Sequence, residues 1–180
     1  MHYGQPITTT RDLEVTEIPS GYQGTLPAGK SVRIVQSLGG NYTVMTDDGH
    51  ILRIAAKDAD ALGQQPVSGP VAAPVTEFSE QAVWDQLKTV FDPEIPVSIV
   101  DLGLVYECKI GELPEGGKKV AVKMSMTAPG CGMGDILRQD AMQKISALPE
   151  VKEADVEIVF EPPWHPGMMS EAAKLKLGLM

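Results

Sequence analysis

The run Thr127-Ala128-Pro129-Gly130-Cys131-Gly132-Met133-Gly134 sets one thiol among three glycines within five residues. Glycine lets backbone N–H groups approach a ligand closely, as in anion-binding turns. Behind the run comes a helical stripe, Met133, Leu137, Ala141, Ile145 and Leu148, which Pro149 ends. The thiol therefore stands at the start of a helix, where partial positive charge favours the thiolate. A thiolate is both the better nucleophile and the form that binds soft metals. The same place also suits a small residue packed at a tight turn, and on these residues alone both readings stand.

Other groups could join such chemistry. Asp92-Pro93-Glu94 and Asp101 put three carboxylates within ten residues; they fit turn-forming positions or hard ligands that order the cysteine loop. Pro162-Pro163-Trp164-His165-Pro166 is a rigid aromatic loop that could wall a pocket or dock a partner. In it, His165 offers a neutral imidazole as a second metal ligand, and equally has the setting of a solvated loop histidine. Cys108, the only other cysteine, alternates with Leu104, Tyr106 and Ile110 and reads as a packed thiol on a strand face. His50 follows a hairpin turn and reads as solvated. No P-loop and no Gly-x-Ser-x-Gly elbow is present in the sequence.

The elements that must hold these groups can be read from periodicity. Ser79 is placed as the N-cap of a helix carrying Val83, Leu87, Val90 and Phe91, which Asp92-Pro93 stops. A strand through Leu104–Ile110, a turn at Pro114–Gly117 and a period-two strand at Val120, Val122, Met124 and Met126 make a hairpin. The stripe helix follows. A third strand with Val156, Ile158 and Phe160 returns beside the second by a crossover, and Ser170–Leu177 reads as a short tail helix closed by Gly178. The fold class is α/β (α+β): an α-β-β-α-β domain over residues 77–180 with helices on one sheet face. Before it, residues 64–76 contain three prolines and no charge, a linker composition. Residues 1–63 read as a small β module, a barrel or curled sheet, with a hairpin at Asp47-Asp48-Gly49.

Two cysteines are too few for a disulfide framework. The net charge of −9 and the lack of a basic stripe argue against nucleic acid as partner. No apolar run approaches the length of a membrane span, and residues 1–11 lack a signal-peptide pattern, so a cytoplasmic location is the expectation.

Asp92-Pro93-Glu94, Asp101-Leu102-Gly103-Leu104, Thr127-Ala128-Pro129-Gly130-Cys131 and Pro162-Pro163-Trp164 together resemble the small iron–sulfur assembly domain of the SufT-like family. The module before it is similar to that family's N-terminal extension at Ile18-Pro19-Ser20-Gly21, Leu26-Pro27-Ala28-Gly29, Leu38-Gly39-Gly40 and Asp58–Gly63. The resemblance implies a non-catalytic factor that assists cluster transfer to recipient proteins. Cys131 takes the place of the family's reactive thiol, with Asp92 and Glu94 as the nearby acidic motif. Asp101, Thr127, Pro129, Gly130, Gly132 and Trp164 are carried over as loop and pocket. His165 stands where relatives often have Thr or Ser, so no family role passes to it.

Implied partners are scaffold or carrier proteins and client apoproteins. One thiolate cannot hold a cluster that normally takes four ligands. This leaves a cluster shared in a homodimer, a transient cluster completed by other proteins, or docking without metal. A thiol-transfer enzyme is the rival from another class, and it needs a base or a resolving thiol near Cys131.

Overall fold

The computed structural model describes residues 5–65, 76–128, 130 and 132–179. Most of the expected linker, residues 66–75, lies outside them, as do Pro129 and Cys131. The chain divides near residue 71 into two compact units.

The first unit is one antiparallel sheet. Its strands are β1 (Ile7–Thr8), β2 (Leu13–Ile18), β3 (Gln23–Leu26), β4 (Ser31–Leu38), β5 (Asn41–Thr46) and β6 (Ile51–Ile54), in the order β1-β4-β5-β6-β2-β3. Short strands of alternating apolar residues bury one face, so Leu13, Val32, Tyr42, Val44 and Ile54 form a core. The hairpin foreseen at Asp47-Asp48-Gly49 joins β5 to β6, with Gly49 at φ +87°. β1 and β3 do not pair with each other, so the ladder is an open sheet and not a closed barrel.

The second unit runs α1 (Glu80–Leu87), β7 (Val105–Glu112), β8 (Lys118–Met124), α2 (Gly134–Ser146), β9 (Val151–Ile158) and α3 (Glu171–Lys176). This is the expected α-β-β-α-β order with its tail helix. The sheet order is β7-β8-β9, antiparallel between the first two and parallel between the last two. Val120, Val122, Met124 and Val156 share one core with the buried faces of all three helices, among them Val83, Leu137, Ile145 and Ala173. The opposite sheet face carries charged pairs such as Lys119–Glu153 and Lys123–Glu107. Ser79 caps α1 by accepting a hydrogen bond from the Ala82 amide at 3.1 Å, and Ser170 caps α3 in the same way through Ala173.

Three details differ from the periodicity. α1 ends at Leu87, with Lys88 as C-cap; Val90 is buried, but on the turn that follows. β9 spans Val151–Ile158, so Phe160 falls beyond it and is half exposed. In β7 the register shifts between Val105 and Glu107: Tyr106 is an extra residue in a β-bulge. Val105, and not Tyr106, therefore shares the core face with Cys108 and Ile110, opposite Met124, Val122 and Val120.

Candidate functional site

Asp92, Glu94, Asp101 and Trp164 all belong to the second unit, and a chain of hydrogen bonds connects the segments that carry them. Asp92 is buried, and its Oδ1 accepts from the amides of Glu94 (2.8 Å) and Ile95 (3.2 Å). It thus shapes a tight turn whose two arms meet through a bridge between Phe91 and Ser98. Glu94 is exposed on that turn.

The far arm leads to Asp101. Ser98 Oγ donates to Asp101 Oδ2 at 2.8 Å and accepts the Asp101 amide at 3.1 Å. The other carboxylate oxygen accepts from Ser170 Oγ at 3.1 Å, while the Asp101 carbonyl accepts the Ser170 amide at 2.8 Å. Asp101 is therefore a fastener between the acidic turn and the cap of α3. Its sequence neighbours continue the network. The Leu102 carbonyl accepts from Trp164 Nε1 at 2.8 Å, and the Leu104 carbonyl accepts the Ser125 amide at 2.7 Å. Gly103, at φ +71°, lies so close to the Met168 carbonyl that a Cβ would stand 2.2 Å from its oxygen.

Ser125 closes the chain of contacts, because it follows the last residue of β8 and opens the segment leading to the cysteine loop. Its Oγ is buried and has no hydrogen-bond partner among the described residues. At the other end of the loop Met133 is buried and occupies the N-cap place of α2 without a side-chain cap. Gly134 packs against Ile158 and Met126, where an added Cβ would meet Ile158 Cδ1 at 3.2 Å. Both roots of the loop are thus fixed in the core. Between them Thr127 is half-buried, while Gly130 (φ +79°) and Gly132 are exposed. Cys131 and Pro129 lie outside the described residues.

His165 is engaged in local backbone structure. Its Nδ1 accepts the Gly167 amide at 3.1 Å and caps the short 3-10 turn Pro166–Met168. Among the described residues no three His, Cys, Asp or Glu side chains are grouped to hold a metal. Cys108 is half-buried against the core, and burial, followed by the nearby Glu80 carboxylate, pushes its thiol above the ordinary range. That keeps it protonated and a poor nucleophile.

Ser98, Tyr106, Ser125, Met168 and Ser170 complete the network, yet the sequence reading gave none of them a role at the site. Ser170 was legible only as the start of the tail helix, because its partner Asp101 is 69 residues away. Tyr106 Oη donates to the Pro162 carbonyl at 2.9 Å, a contact that the bulge makes available.

Burial of Asp92 raises its pKa above the ordinary aspartate value, against the lowering effect of the two amides. Stability linked to this group is therefore full below the usual aspartate range and is lost as pH rises through the raised value. Asp92→Asn keeps an oxygen acceptor and removes the buried charge. It is expected to be at least as stable as wild type near neutral pH, with a flatter pH dependence. Asp92→Ala leaves two amides unpaired and costs about 1–3 kcal/mol. Urea midpoints measured across pH check this, and an Asn variant as weak as the Ala variant would contradict it.

Comparisons with known proteins bear on the same unit. A family model described as iron–sulfur cluster assembly protein matches residues 80–158. An Fe–S protein maturation auxiliary factor of Porphyromonas gingivalis is 39% identical over 102 residues, which is 57% of this chain and 93% of the relative. The Fe–S protein maturation auxiliary factor SufT of Staphylococcus aureus is 39% identical, over 50% of this chain and 98% of the relative. A crystal structure of a domain of unknown function from Bacillus anthracis is 36% identical and covers 56% of this chain and 92% of that one, with a TM-score of 0.49. None of these three extends over the whole chain. The match spans nearly the full length of both curated relatives and takes in the acidic turn, the Asp101–Leu104 hub and the cysteine loop, so the chain belongs to the SufT-like family of iron–sulfur cluster assembly proteins.

Proposed function

We propose that this protein is a non-catalytic maturation factor that helps pass iron–sulfur clusters to recipient proteins, with Cys131 as the thiolate that meets the cluster. Family membership supports the general role. The observation that carries the specific reading is the fixed frame around the loop. Ser125 is tied to Leu104 on one side, and Met133 and Gly134 are seated in the core on the other. The described residues on both sides of Cys131 are thus anchored, and this anchoring is what supports the reading.

The chemistry of the surroundings suits a thiolate. α2 begins with no side-chain cap, so its first amides and its dipole favour negative charge in the segment before it. Ser125 adds at the root a buried hydroxyl that has no partner among the described residues, a donor whose burial unpaired would cost stability.

The cluster is cargo here and not a resident cofactor. One thiolate supplies one of the roughly four ligands a cluster takes, and Cys108 is unsuited to supply a second: it is packed on the core with a raised pKa. Cluster ligation is therefore transient, with the carrier and the recipient supplying the other ligands. Weak holding matches a protein that must release what it receives. The same property of Cys108 weighs against a thiol-transfer enzyme, which would need it as resolving thiol.

The test is anaerobic incubation with a cluster-loaded carrier and an apo-recipient. Cys131→Ser is expected to lose most of the acceleration of cluster arrival while keeping the wild-type urea midpoint. Equal acceleration by the variant would remove Cys131 from the mechanism. Iron per chain, counted after reconstitution of the protein alone, separates a cluster shared by two chains from transient ligation.

A further inference from the structure

The first unit lies outside the residues matched by the family model, and it contains a cavity of about 510 Å³. The cavity floor is apolar: Val15, Leu26 and Leu52 line it, and these are the members of that unit's core that keep 7–8% exposure, where the others are almost fully buried. One wall is β3, the terminal strand of the sheet, and the opposite wall is the start of β4 at Lys30 and Ser31. Among the described residues no other backbone pairs with the outer side of β3. Gly24 is in the middle of β3 and lines the slot, with the ring of Tyr22, 71% exposed, 3.5 Å from where a Cβ of Gly24 would stand.

The rim is acidic. Asp47 and Asp48 project from the β5–β6 turn, and Glu17 is beside them, paired with His50 at 2.8 Å. Hydrogen bonds from Ser20 and then His50 hold the Glu17 carboxyl below its ordinary range. Among the described lining residues Lys30 and His50 are the basic ones.

A free edge beside an apolar slot is the arrangement used in strand addition, where the main chain supplies affinity and alternate side chains enter a pocket. From these features we propose that the first unit binds an extended peptide segment of a partner protein, which adds to the outer edge of β3. Its alternate apolar side chains fill the slot over Val15, Leu26 and Leu52. The residues between them point to the other face of the added strand, so it is the Lys or Arg side chains at the ends of the segment that reach the rim of Asp47, Asp48 and Glu17.

The probe is the peptide Ac-Lys-Val-Lys-Val-Lys-NH2, titrated into the full chain labelled with ¹⁵N and methyl ¹³C. Saturable shifts are expected in the amides of Gln23–Leu26 and the methyls of Val15, Leu26 and Leu52. Asp47→Lys with Asp48→Lys should weaken binding about fivefold, the scale of two exposed ion pairs. The peptide N-methylated at all five residues keeps every charge but has no backbone N–H between its caps to donate to β3, and it should lose the β3 shifts. Equal binding of the methylated peptide overturns strand addition and leaves charge attraction alone. The absence of saturable shifts at β3, or equal binding of the corresponding Glu-Val peptide, overturns the proposal altogether.

Discussion

Gly103→Ala is expected to destabilise the second unit by about 2–5 kcal/mol, the sum of a left-handed backbone cost of about 1–2 and an overpacking cost of about 1–3. At φ +71° an L-residue is strained whatever the space around it, and the space here is already taken by the Met168 carbonyl, 2.2 Å from where a Cβ would go. That oxygen is backbone, so it cannot swing aside as a side-chain tip could. Gly116→Ala is the matched control: φ is +80°, and nothing lies within 4 Å of its Cβ. The difference between the two urea midpoints therefore reads the contact alone. Equal losses would mean that the Pro166–Met168 segment moves away at little cost.

Trp164→Ala should cost about 2–4 kcal/mol, somewhat less than the 3–5 kcal/mol of a fully buried tryptophan, because Trp164 is only partly buried. Two losses combine in it. The indole packs against the core, and its Nε1 supplies the hydrogen bond to the carbonyl of Leu102, a fully buried residue. Trp164→Phe separates the two, because it keeps much of the packing and leaves the carbonyl unpaired; about 1–3 kcal/mol of the loss should remain. A Phe variant as stable as wild type would show that another donor, such as water, reaches Leu102.

The two changes have different meanings for the site. Both act on the Asp101–Leu104 hub, whose last carbonyl holds Ser125. Loss of cluster delivery in parallel with loss of stability would place Trp164 and Gly103 in the frame and not in contact with the cluster. Asp92→Asn, which is expected to fold well, separates the remaining possibility: delivery lost at full stability would give the Asp92 charge a role beyond its turn.

Much of this frame was legible in the chain. The stripe Met133, Leu137, Ala141, Ile145 and Leu148 is buried throughout: the middle three form the apolar face of α2, while Met133 is its N-cap and Leu148 follows its C-cap. Ser79 was legible as a cap because capping is local, reaching only three residues ahead. What periodicity could not give were features set by distant partners. The bulge at Tyr106 depends on how β7 registers with β8, and one inserted residue exchanges which side chains face the core. Asp101 reads from sequence as one more carboxylate near a turn, whereas its oxygens are divided between Ser98 and Ser170. α1 stops at Leu87 although apolar spacing continues to Phe91, since residues buried on a turn can keep a helical interval without being helical.

The parallel pairing of β8 with β9 has a consequence for the order in which a newly made chain becomes competent. β7 and β8 can pair as a local hairpin as soon as both exist. The frame around the cysteine loop cannot close then, because Gly134 packs against Ile158, the Leu102 carbonyl waits for Trp164, and Asp101 waits for Ser170. Such long-range closures come late in folding. A ribosome-bound chain that has released Cys131 but not yet residue 170 therefore carries the thiol before the contacts of Gly134, Leu102 and Asp101 around its loop can close.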